Sequence, residues 1–145
     1  ADDEDTTALA GLLERLVDGA EAYGRPLFAG WRRVPRCGDG PGRVNQALST
    51  LREQRGGSHD IAILAQGLRP VEAMAARGEL GLQSAGYFGW PPPYPDGAPF
   101  RARWEEAERV TDALAAPVME ALTASERERL ASLVARALEQ AQAAS

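Results

Sequence analysis

The stretch Leu51–Ala76, LREQRGGSHDIAILAQGLRPVEAMAA, holds the chain's only histidine and sets a short charged segment between two runs of helical periodicity. How that segment is read decides the fold. Upstream, Val44, Ala47, Leu48 and Leu51 have helical spacing, and Arg55-Gly56-Gly57 is expected to end that helix, because glycine takes positive φ without a steric penalty. Ser58 would then cap a second helix, with His59 and Asp60 in its first turn before Ile61, Ile63 and Leu64, and Gly67 would close it. Arg69-Pro70-Val71-Glu72 starts another helix with proline in its first turn, running through Met74 to Arg77 before Gly78. Two short helices joined by a glycine-containing turn of about four residues have the form of a helix-turn-helix.

On the N-terminal side, Asp2, Asp3, Glu4 and Asp5 form an acidic lead-in suited to the positive end of a helix. Leu9, Leu12, Leu13, Leu16, Val17, Ala20 and Tyr23 then make one apolar stripe, and Gly24 is expected to end that helix. Pro26 begins a short helix whose Leu27, Phe28 and Trp31 are expected to pack on the first. PRCGDGPG, from Pro35 to Gly42, reads as a loop.

On the C-terminal side, Glu79–Gly89 is ambiguous between a hairpin, a turn of helix and an irregular cover. Trp90-Pro91-Pro92-Pro93-Tyr94-Pro95 must be an extended strap, since each proline fixes its own φ and biases the residue before it away from helix. Phe100, Trp104, Ala107, Thr111, Leu114, Val118 and Leu122 form the narrow seam of a packed helix, which Pro117 should kink or break. Thr123-Ala124-Ser125-Glu126 matches a capping box for a last helix with Leu130, Leu133, Val134, Ala137 and Leu138 on its apolar face. The final AQAAS is expected to fray. No internal repeat and no run of alternating strand residues is present, so the fold class is all-α: a single helical domain over residues 1–145, with an irregular Gly/Pro-rich cover.

The chain has 145 residues, with 16 basic against 21 acidic and a net charge of −5. Every basic residue is arginine, a codon bias of high-GC bacterial genes. The overall negative field repels phosphate backbones, so nucleic acid is not expected as a partner. One cysteine, Cys37, excludes an internal disulfide and a Cys-rich zinc site and fits a reducing cytoplasm. There is no membrane-length apolar run and no secretory pattern at ADDEDTT. The start at Ala1 without methionine suits a trimmed chain or a part of a longer protein.

GRPLFAG at Gly24–Gly30, LREQRGGSHDIAILAQGLRPVEA at Leu51–Ala73, FGWPPPYP at Phe88–Pro95 and ERVTDALAAPVMEAL at Glu108–Leu122 together resemble the C-terminal half of a longer, uncharacterised actinobacterial helical family. Members of that family carry Arg-Glu-His-Arg-Gly-Asp before the histidine. Here Gln54 stands for the first histidine and Gly57 for the aspartate, leaving His59 as the sole matching imidazole. The last third, from RVTDAL to LTASERERLASLV, resembles the dimerisation helices of MarR-type winged-helix regulators. That resemblance implies a degenerate winged helix, because the glycine- and proline-rich Glu79–Asp96 stands where a wing would be.

For chemistry, the candidates centre on His59. At a helix N-terminus the neutral imidazole would be favoured, suiting a proton acceptor. Arg52, Glu53, Arg55, Ser58 and Asp60 would line a polar wall, and Trp31, Tyr87, Trp90, Tyr94 and Trp104 an aromatic cover, over a small organic ligand. The bland alternative is that His59 belongs to a helix cap and the aromatics to ordinary core. Ser58, His59 and Asp60 are sequence neighbours and cannot form a hydrolytic triad. No metal and no cofactor is expected, and no Walker loop or dinucleotide fingerprint is present. The leading expectation is a small-molecule-binding domain, or an enzyme using His59 as general acid or base. The alternative is a winged-helix-derived regulatory or scaffolding module, dimerising through Arg101–Leu138 or joined to an N-terminal partner domain. For a DNA-binding version, Arg69–Arg77 offers too few cations, unless a dimer assembles Arg32, Arg33 and Arg36 into a patch.

Overall fold

A computed structural model describes residues 4–143. Asp2 and Asp3 of the lead-in, and the last two residues of the tail, lie outside the described residues. Seven α-helices and two 3₁₀ segments account for the regular structure among the described residues, and the all-α class holds. The chain divides into two compact units: residues 1–57 with 116–145, and residues 58–115.

In the first unit, α1 (Glu4–Gly19) packs Leu9, Leu12, Leu13, Leu16 and Val17 against Leu122, Leu130 and Leu133. The helix ends at Gly19, short of the expected Gly24, and Tyr23 is exposed. Gly19 lets the following segment approach, since a Cβ there would lie 2.8 Å from that of Ala121. Short α2 (Pro26–Trp31) has its proline in the first turn, as expected. Only Phe28 enters the core, while Leu27 and Trp31 remain exposed, a correction to the packing expected of all three. Six residues make fewer than two turns, and such a helix cannot turn all three inward.

The main correction concerns α3, which runs unbroken from Gly40 to Ala65, through Gly56-Gly57. Asp39 starts it, accepting the Gly42 N–H at 2.8 Å. The expected Pro35–Gly42 loop is therefore shorter, with its last three residues helical. The buried side of α3 is Ala47, Thr50, Gln54, Ser58 and Ala62, spaced by threes and fours. Much of that stripe is polar, so hydrophobic periodicity does not reveal it. Leu48 and Leu64, expected inside, are exposed. Helical glycine costs about 1 kcal/mol relative to alanine, and Gly57 has a packing reason: a Cβ would lie 2.9 Å from the Arg25 Cγ.

The end of α3 is as expected. Gly67 takes φ 65°, its N–H bonds Leu64 O at 3.0 Å, and the Leu68 N–H reaches back to Ile63 O at 3.1 Å. This is a Schellman turn, sealed by apolar contact among Ile63, Leu68, Ala62, Ala73 and Ala107 in the second unit's core. There, α4 (Pro70–Ala76) and α5 (Glu79–Tyr87) follow, so the ambiguous segment is helical. The strap has no regular structure from Trp90 to Pro95, and α6 (Arg101–Ala115) buries Ala107 and Thr111. Helix α6 gives way to 3₁₀ geometry over Ala116–Ala121, at the expected Pro117 break.

The last helix, α7 (Ala124–Ala143), begins at the expected capping box. The Thr123 N–H donates to Glu126 at 2.9 Å and the Glu126 N–H to Thr123 Oγ1 at 3.3 Å. Leu130 and Leu133 are buried, whereas Leu138 stays exposed. Arg15 also binds the Glu126 carboxylate and the Ala121 carbonyl. With these donors, led by the Arg15 guanidinium, the Glu126 carboxyl is held down from 4.5 to about 2. A carboxyl with a lowered folded value stabilises above its unfolded value and loses that contribution as pH falls. Thermal midpoints followed by circular dichroism should therefore fall between pH 4.5 and 2, and Glu126→Gln should shrink the difference between neutral and acid midpoints. An unchanged pH dependence in that variant contradicts the assignment.

Candidate functional site

The two-helix element of the second unit is built from small residues turned inward and large ones turned outward. Glu72 fixes the start of α4 by accepting the Arg69 backbone N–H at 2.8 Å and the Arg69 guanidinium at 2.7 and 2.9 Å. Its carboxyl is lowered below the ordinary range, chiefly by that guanidinium. Gly78, at φ 75°, makes the turn into α5. Gly81 then presses α5 onto α4 so closely that a Cβ would fall 1.9 Å from the Met74 carbonyl oxygen. Gly81 and Ala85 are the buried positions of α5. Leu80, Gln83, Ser84 and Tyr87, spaced by threes and fours, lie along its other side. With Arg77 and Phe88 they line a shallow groove of about 490 Å³.

His59 lies in the interior of α3 and not at a helix N-terminus, so the preference for a neutral imidazole expected at the positive end of a helix does not apply. Its Nδ1 is 3.1 Å from Thr111 Oγ1 on α6. Because the Thr111 hydroxyl donates to Ala107 O at 2.7 Å, it accepts from His59, which places the proton on Nδ1. Glu108 Oε1 is 3.6 Å from the same nitrogen. This arrangement ties α3 to α6. Ser58 does not cap a helix and is fully buried, and Asp60 is exposed.

Of the other expected anchors, Trp31, Arg52, Glu53 and Arg55 belong to the first unit, and Tyr87, Trp90, Tyr94 and Trp104 to the second. Arg52 is exposed and lies 3.6 Å from Glu53. Trp31 lines a small cleft of about 30 Å³ with Glu14, Arg36 and Arg43, room for water rather than an organic ligand. In that cleft Arg43 holds Glu14 through two bonds of 2.9 and 2.7 Å, and the pairing lowers the Glu14 carboxyl. Trp104 packs in the second core, its Nε1 buried without an acceptor among the described residues. Tyr87, Phe88 and Trp90 form an edge-to-face ladder, with centroids 5.5 and 6.1 Å apart. Cys37 is free and exposed. Among the described residues no cluster of His, Cys, Asp or Glu could hold a metal ion, and no helix is long and apolar enough to cross a membrane.

This is a helical module with a close-packed two-helix element and an outward second helix. A helix-turn-helix family matches residues 1–94, and the chain belongs to that family. No curated protein and no solved structure matches. Family membership corrects the expectation that nucleic acid is not a partner. That expectation used the net charge of the whole chain, whereas a groove-reading helix acts through one local face.

Proposed function

We propose that the chain is a regulatory module that docks on duplex DNA through the α4–α5 pair, with α5 facing the bases. The observation that carries this reading is the outward line Leu80, Gln83, Ser84 and Tyr87, on a helix whose small inner residues hold it tightly against α4. A glutamine carboxamide both donates and accepts at base edges, and the Ser84 hydroxyl, whose proton goes to Leu80 O at 2.9 Å, can accept there. Arg77, at the start of the groove, supplies a cation for a phosphate oxygen. The C-terminal likeness to MarR-type regulators and the exposed Leu138 on α7 support a dimer formed through Arg101–Leu138.

Fluorescence anisotropy with random-sequence duplex at several salt concentrations tests the reading. With a net charge of −5, binding should be modest and its salt dependence shallow. Arg77→Ala should weaken binding several-fold and lower the salt slope by about one. Absence of duplex binding at low salt would overturn the proposal.

A further inference from the structure

Resting on the duplex-docking reading, the geometry points to a second role for the end of α5: Tyr87 and Phe88 act as a wedge that enters a base step and kinks the bound DNA. Leu80, Tyr87 and Phe88 are 71%, 87% and 63% exposed, an apolar surface that the fold leaves uncovered. Large exposed apolar patches mark interaction sites. The backbone that carries these rings is fixed. Helix α5 ends in a Schellman turn, with the Trp90 N–H on Ala85 O and the Gly89 N–H on Gly86 O, both 3.0 Å. Gly89 supplies the required positive φ of 83°.

Behind the rings, Trp90 meets Phe88 edge-on, and the Tyr94 hydroxyl donates to Trp90 O at 3.0 Å, bracing the start of the proline strap. Side chains oriented before a partner arrives lose little entropy on binding.

The chemistry of the groove selects the occupant. Its lining contains one ionic group, the Arg77 cation, beside the neutral hydrogen-bonding groups of Gln83, Ser84 and Tyr87 and the apolar faces of Leu80 and Phe88. Glu79 lines a different groove, with Asp96 and Arg101. A partner that is anionic, flat and apolar on its faces, with hydrogen-bonding edges, fits all three properties, and nucleic acid has them. Apolar side chains inserted at base steps unstack and bend duplexes, most easily at pyrimidine–purine steps. The aromatic end continues the face of α5 already placed at the base edges.

The experiment uses the whole chain and short duplexes carrying 2-aminopurine in a TA step, with anisotropy and 2-aminopurine fluorescence read on the same samples. The expected result is a fluorescence rise on saturation. In Phe88→Ala the rise should be lost even at saturating protein, with binding weakened roughly tenfold, and Phe88→Trp should restore it. Saturable binding without a rise, or a rise that survives in Phe88→Ala, overturns the wedge and leaves the docking reading standing. No binding by the unsubstituted chain overturns the docking reading itself. A concentration-dependent dimer in light scattering that Phe88→Ala abolishes would assign the patch to a second copy of the chain and overturn the wedge.

Discussion

Gly81→Ala should destabilise the protein by about 3 kcal/mol, the upper end for overpacking, and should abolish duplex binding under conditions where the unsubstituted chain binds. The added methyl would sit 1.9 Å from the Met74 carbonyl oxygen, and 2.7 Å from the Arg77 Cβ. Neither can move aside on its own, because the Arg77 Cβ is fixed by its backbone and the carbonyl belongs to the backbone of α4. Relief requires α5 to move away from α4, which would disturb Ala85 and carry the Leu80–Tyr87 face with it. Denaturant unfolding and anisotropy measure the two effects. The control is Gly86→Ala on the same helix, where a Cβ would meet only the Tyr94 hydroxyl at 3.4 Å. That change should be neutral or stabilising by up to about 1 kcal/mol. Equal stabilities for the two variants would show that the close approach at Gly81 is not needed.

Phe28→Ala is expected to cost about 4 kcal/mol, within the range for emptying a buried aromatic site. Phe28 is 0% exposed and is the one buried side chain of α2. With Leu27 and Trp31 exposed, no other residue of that helix anchors it in the core. The Arg32 guanidinium also lies over the Phe28 ring, 5.3 Å from its centroid, and donates to Ala20 O at 2.8 Å. Loss of the ring therefore releases α2 and a tie back to the end of α1 together. Chemical denaturation of Phe28→Ala beside Leu27→Ala checks this. Leu27→Ala should fall within about 0.5 kcal/mol of the unsubstituted protein, and a comparable loss in both variants would contradict the single-anchor account.

What could be read from the sequence follows from how local each signal is. Pro70 with Glu72, Thr123 with Glu126, and Gly67 define their helix ends through contacts within a few residues, and these ends stand where the sequence places them. Gly56-Gly57 looked like a similar signal but is not one, because the fate of α3 is decided by distant packing. Arg25, far away in sequence, occupies the space beside Gly57, and the buried stripe through Thr50, Gln54 and Ser58 is too polar to register as a core face. Its trace in the sequence is the helical spacing of small and polar residues. The expected place of His59 at a helix start depends on that break and fails with it.

Helix α5 was obscured for a related reason. Its inward residues are Gly81 and Ala85 and its large side chains point outward, the reverse of the usual amphipathic pattern. That inversion is itself the strongest trace of the interface in the sequence. Asp39, which starts α3 by accepting the Gly42 N–H, is a residue type suited to a helix start, but it lies among the glycines and prolines that make Pro35–Gly42 read as a loop.

Hydrogen exchange measured with and without an excess of duplex DNA at low salt tests the central claim most directly. Protection centred on residues 70–88, with residues 4–19 of α1 unchanged, is the expected result. Protection elsewhere on the chain with none in α4 and α5, or no protection at all, would contradict the assignment of the α4–α5 face to DNA.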